Sequence, residues 1–176
     1  MTEDIRYPKG KFQPQTFSQK QKDEWLLDLK FLPSELELAV QNLDEHQLQT
    51  PYREGGWTVH QLVHHIADSH MNAYMRFRLA LTENNPAIKP YDQDAWVLLN
   101  DVKTLPVNIS ITLLHALHKR LVAMLKGLND EDWNRTVYHP EQKKEITVWN
   151  LLGTYAWHGK HHVAHITNLR ERMGWR

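Results

Sequence analysis

The chain has 176 residues, no cysteine, and 21 basic against 21 acidic side chains, so its formal charge is zero with neutral histidine. That length suits a single domain, residues 1–176, with a core large enough to fold unaided. The composition excludes disulfides, thiolate metal ligands and a cysteine nucleophile, and the balanced charge argues against nucleic acid as a partner.

The opening MTEDIRYPKGKFQPQ has no apolar core, so no secretory signal is expected. No apolar run is long enough to span a bilayer, and a cytoplasmic protein without a membrane partner is the expectation. Residues 1–17 show little periodicity and read as an extended arm whose ordered part is RYPKGKF. Ser18 then caps a first helix carrying Trp25, Leu26, Leu29 and Leu32. Pro33 either kinks that helix or starts a second segment, SELELAVQNL. Residues 44–56 are a connector, broken by Pro51 and by Gly55 and Gly56.

A second long helix is predicted from about Thr58 to Thr82, with Trp57 or Thr58 at its cap. Residues 84–107 form a long polar loop, with one or two helical turns expected in DQDAWVLL. A third helix starts near Asn108 or Ser110 and stops near Gly127, with Leu113, Leu114, Leu117, Leu121, Met124 and Leu125 at helical spacing. Residues 128–146 connect, with a short extended pair around VYHPEQKKEITV. A fourth helix runs from about Val148 to Met173 and ends at Gly174. Four long amphipathic helices with long connectors make the fold all-α, a four-helix bundle. A faint internal echo links LDEHQLQTPY and WTVHQLVHH to LNDEDWNRTVY and ITVWNLLGTY, so the bundle reads as two related helix pairs.

Histidine is the compositional outlier. Eight of the twelve lie in two windows, residues 60–70 and 158–165. Each helical residue turns about 100°. With His158 at zero, Leu151 and Leu169 fall at about 20°, His162 at about 40° and Tyr155 at about 60°, all on the buried face. His161 lies about 60° off on the other side, and His165 sits near the edge. Two HxxxH pairs are present, 158/162 and 161/165, and the first points more directly at the core. The i,i+4 spacing lets two imidazoles hold one ion, although the metalloprotease glutamate of HExxH is absent.

On the second helix, His65 heads a polar stripe with Asn72 and Arg76, bordering an apolar stripe of Leu62, Ile66, Ala73 and Phe77. His60 and His64 swing to the opposite side. The plain alternative is a solvated helix face. Three neutral imidazoles suit Zn²⁺, Ni²⁺, Cu²⁺ or Fe²⁺. Three ligands leave one open position, as in catalytic rather than structural zinc. A metal-bound water there is the expected nucleophile, and a thiol there would be deprotonated outright. The ligand set therefore allows hydrolysis or thiol transfer. A third reading is a non-enzymatic bundle, with His161 or His165 closing the coordination. Asn72 and Arg76 are candidates for holding a substrate carboxylate or phosphate, with Tyr155 as a hydrogen-bond donor. Asp68 is a candidate acceptor for an imidazole N–H. Tyr91 and Trp96 either close over a substrate or pack the long loop down.

The stretches RYPKGKF, TPYREGGWTVHQLVHHIADSHMN, RFRLALTENNPAIKPYD and TYAWHGKHHVAHI span nearly the whole chain. On them the chain resembles the DinB-like superfamily, and within it the YfiT branch, described provisionally as metal-dependent hydrolases. The resemblance implies a four-helix bundle, a homodimer, and one nickel or zinc ion per subunit held by three histidines. The first family ligand falls eight residues after the tryptophan opening the second helix, which after Trp57 is His65. The other two match His158 and His162 of WHGKHH. The branch's hydrolase description rests on its metal site. The wider superfamily includes transferases of low-molecular-weight thiols such as bacillithiol or mycothiol, so a small-molecule substrate, thiol or otherwise, is expected.

Overall fold

The computed structural model describes residues 5–176. In chain order it contains α1 (Gln19–Val40), the short α2 (Glu45–Leu48), α3 (Val59–Thr82), the short α4 (Gln93–Trp96) and α5 (Asn100–Thr104), and α6 (Val107–Lys126). A 3-10 turn (Asp132–Asn134), the strands β1 (Thr136–His139) and β2 (Lys144–Thr147), and α7 (Val148–Met173) complete it.

The helix starts follow their capping residues. Ser18 Oγ accepts from the Gln21 amide at 3.1 Å. Thr58 and Gln61 form a reciprocal capping box at the head of α3, and Thr147 Oγ accepts from the Asn150 amide at 3.1 Å at the head of α7. Gly174 ends α7 in the left-handed region at φ 67°, where a residue without a Cβ carries no steric cost. The third long helix starts a residue earlier than its sequence suggests. Pro106 is its N-cap, because a residue lacking an N–H and fixed in φ is a ready boundary. Pro33 starts no new segment, since α1 runs through it unbroken.

α1 packs against α6 and α7, and α3 packs against the same two. The sequential pairs α1/α3 and α6/α7 therefore lie across the diagonals of the bundle. Their connectors share a layout, as the internal echo suggests. After α2, Pro51 bridges Thr58 antiparallel, and Thr58 caps α3. After the 3-10 turn, β1 pairs antiparallel with β2, with Thr136 opposite Thr147, and Thr147 caps α7.

The loop of residues 84–107 is tied down along its length. DQDAWVLL supplies α4, and α5 follows it as a second short helix. Ile88 donates to the Tyr138 carbonyl at 3.0 Å. Trp57 Nε1 donates to Asp94 at 3.1 Å, and His60 Nε2 meets the Val102 carbonyl at 2.7 Å. Tyr91 and Trp96 pack on each other, with ring centroids 4.4 Å apart. Among the described residues no helix is long and apolar enough to cross a membrane.

Two apolar clusters fill the interior. One is built on Trp25, Leu29, Phe77, Leu121, Leu125, Trp149 and Leu152. The other is built on Leu36, Leu62, Val63, Ile66, Leu114, Ile166 and Leu169. Each long helix passes from one cluster to the other, and at that level α3, α6 and α7 turn histidines inward: His65, His70, His118, His162 and His165 are buried. The N-terminal arm lies along α7, where Trp149 and Trp157 donate to the carbonyls of Gln15 and Gly10 at 2.7 and 3.0 Å. Gly159 permits close approach of α1, because a Cβ there would stand 2.5 Å from Leu32 Cδ2.

Candidate metal centre

α3 brings His65 to α7, which carries His158 and His162 one turn apart. His158 Nε2 lies 3.2 Å from His65 Nε2 and 3.1 Å from His162 Nε2. Three ligands bonded to one tetrahedral zinc at their usual length stand about 3.3 Å apart. The spacing thus fits a shared ion. Two nitrogens in contact make a hydrogen bond only when one of them carries the proton, and His158 Nε2 faces two others. A cation resolves this crowding of lone pairs. Burial lowers His65 to a pKa of about 4. Burial first, and then neighbouring imidazoles, hold His158 and His162 well below the usual histidine range. All three are therefore neutral, which is the ligand form.

A second group, His161, His162 and His165, shares one ring with the first. His165 Nδ1 lies 3.3 Å from His162 Nδ1, and its Nε2 lies 3.3 Å from the Arg6 carbonyl. His161 is more buried than its helical angle suggests. The arm and neighbouring aromatics cover that side: Trp157 stacks on His161 at 4.5 Å, Tyr7 stands at 5.9 Å, and Tyr52 stacks on His165 at 4.2 Å. His64 turns away from the site, with Nδ1 2.8 Å from Ser110 Oγ.

The three imidazoles line a cavity of about 490 Å³ with Tyr52, Arg53, Trp57, Asp94 and Trp157. Arg53 and the aromatic wall carry no periodic signal, because they sit in the connector before α3 and on the flank of α7. Asn72, Arg76 and Tyr155 are not part of this lining. Asn72 donates to the Asp68 carbonyl at 2.9 Å, and Arg76 donates to the Tyr155 hydroxyl at 2.7 Å. Asp68 is not the acceptor for His158. Its own carboxyl is raised to about 6 by burial and by Asp101, while His158 Nδ1 faces His70 Nε2 at 3.4 Å. His70 lies about 140° round the helix from His65, so the stripe that exposes His65 hides it.

The sequence profile of the DinB superfamily matches residues 28–166. The chain belongs to the DinB superfamily. Within that superfamily it is 51% identical over 172 residues to YfiT of Bacillus subtilis (strain 168), provisionally named a metal-dependent hydrolase, with 97% of each chain covered. A provisionally named metal-dependent hydrolase of Bacillus mycoides (strain KBAB4) is also 51% identical, over 98% of this chain and 99% of its own. The solved structure of Bacillus subtilis YfiT, described as a probable metal-dependent hydrolase with an unusual four-helix bundle topology, superposes with a TM-score of 0.96 at 50% identity. That match covers 99% of this DinB chain and 100% of YfiT. A second four-helix bundle protein, TT2238, matches with a TM-score of 0.55 at 22% identity over 81% of this chain, a likeness of fold alone.

Proposed function

We propose that this DinB-superfamily chain is a hydrolase of small molecules that works with one zinc or nickel ion held by His65, His158 and His162. One observation carries the reading: three neutral imidazoles converge through their Nε2 atoms on the wall of a cavity. A divalent ion there supplies Lewis-acid activation of water at neutral pH. The chain's own residues supply the rest. Arg53 offers a cation to an acidic substrate group, and Tyr52, Trp57 and Trp157 give it an apolar wall. Asp94 is held by the Trp57 indole on the same wall, where it orients polar groups of the substrate.

Elemental analysis of the purified protein tests the ligands. Wild type is expected to carry about one transition ion per chain, lost in His65→Ala, His158→Ala and His162→Ala but kept in His161→Ala. Retention in the first three variants would overturn the assignment. The loaded protein is then screened on esters, amides and phosphoesters beside His65→Ala. Equal behaviour of the two on every substrate would sink the hydrolase reading.

A further inference from the structure

A line of imidazoles runs from the metal position to the backbone of α1. His158 turns Nε2 toward His65 and His162, and Nδ1 toward His70 Nε2 at 3.4 Å. His70 Nδ1 lies 3.0 Å from His118 Nε2, and His118 Nδ1 meets the Leu29 carbonyl. His70 and His118 are 0% and 2% exposed, so bulk solvent does not reach these contacts. Each inner contact joins one imidazole nitrogen to another, so each holds one proton between its two rings.

A neutral imidazole has one donor nitrogen and one acceptor nitrogen. The Leu29 carbonyl can only accept, so His118 carries its proton on Nδ1 and accepts at Nε2. His70 must then donate from Nδ1 and accept at Nε2. His158 must in turn donate from Nδ1, which leaves its Nε2 without a proton and turned toward His65 Nε2, His162 Nε2 and Ser69 Oγ. No other arrangement of three neutral rings satisfies every bond. The carbonyl is available because residue 33 is proline. In a regular helix the amide of residue 33 would bond the carbonyl of Leu29, and proline has no amide N–H.

We propose that His70 and His118, seated on the carbonyl that Pro33 leaves open, are positioning residues that lock His158 in the tautomer whose Nε2 can bind a metal. Free neutral histidine favours the other tautomer, whose proton would occupy the coordination direction. The line removes that obstacle before any ion arrives. The consequence for affinity rests on His158 being a ligand, as proposed above, whereas the tautomers themselves are a property of the metal-free chain.

The direct test is ¹⁵N NMR of the histidine rings in the chelator-treated, metal-free wild type at neutral pH. The expected result is the Nδ1–H tautomer at His70, His118 and His158. An Nε2–H tautomer at His70 or His158 would overturn the proposal. Zinc affinity, measured by competition with a chromophoric chelator, gives a second readout. His70→Phe keeps the ring volume without donor or acceptor, and its zinc affinity is expected to fall about 10- to 100-fold. His70→Gln can accept from His158 with its carbonyl and donate to His118 with its amide, so it is expected to stay within about 3-fold of wild type. Equal affinities for the two variants and wild type would count against the line. Circular dichroism checks that each variant is folded, and the NMR result needs no variant. Failure of wild type to bind zinc or nickel sinks the proposed function, whereas a wrong tautomer sinks the relay, so the two failures are distinct.

Discussion

The Tyr155 hydroxyl accepts a 2.7 Å hydrogen bond from Arg76, and the ring stands edge-on to His70 with centroids 5.5 Å apart. Burial pushes the phenol up to about 12, with the Arg76 charge pulling the other way, so it stays neutral across the working range. Tyr155→Phe would leave Arg76 facing an apolar edge. A hydrogen bond from a charged donor contributes about 1.5–3 kcal/mol, and urea denaturation of this variant is expected to show a loss near the lower end. Metal content should not change. Unaltered stability would mean that the pair is not a structural bond. At this scale the periodicity of each helix taken alone suffices to place His65 of α3 beside the apolar stripe and His158 with His162 of α7 on the buried face, because residues four apart share a face. It cannot show that Tyr155 and Arg76 satisfy each other, since they are on different helices. His70 and His118 are hidden for the same reason: their contacts are defined by α1, α3, α6 and α7 together.

Both helices that carry the proposed ligands begin on a threonine. Thr58 and Thr147 each satisfy an amide of the first turn. Replacing either by alanine is expected to cost about 1 kcal/mol, and Thr58→Ala more than Thr147→Ala, because it also breaks a reciprocal box. Thermal denaturation of the two single variants checks the order. Equal midpoints would mean that the box adds nothing to the cap. These signals are local, and that is why the extents of α3 and α7 are readable from sequence. α1 is harder. Pro33 leaves kink and restart equally open, and the helix runs on because α6 and α7 pack along it and His118 takes the carbonyl that the proline frees. α5 is legible only with the tertiary structure in view. Its Val102 carbonyl is met by His60, a residue 42 positions away, and no local pattern encodes that bond.

Formal charge is zero with neutral histidine, yet the interior is loaded with groups that charge below neutral pH. His65, His118, His161 and His165 are each lowered to about 4 by burial. In the unfolded chain they titrate near 6.5, so between those values the unfolded state binds more protons than the folded state. Stability is therefore fully present above the unfolded value and is lost as pH falls through this window. Near the middle of the window each group contributes a slope of about 1.2 kcal/mol per pH unit, and four together give roughly 4–5. Asp68 works in the opposite sense. Its raised value of about 6 means that the folded state takes up a proton first, which offsets about one histidine. The balance still falls steeply against a total stability of about 5–15 kcal/mol for a domain of this kind. The metal-free protein is expected to unfold cooperatively in mild acid, between about pH 6 and pH 5, while changing little from pH 7 to pH 8. Denaturation midpoints across that range measure the slope directly. Zinc at the proposed ligands His65, His158 and His162 would compete with protons for their nitrogens and should move the acid midpoint downward. A flat profile below pH 6.5 would show that these imidazoles take up protons in the folded chain as readily as in the unfolded one, so that burial does not oppose their charging.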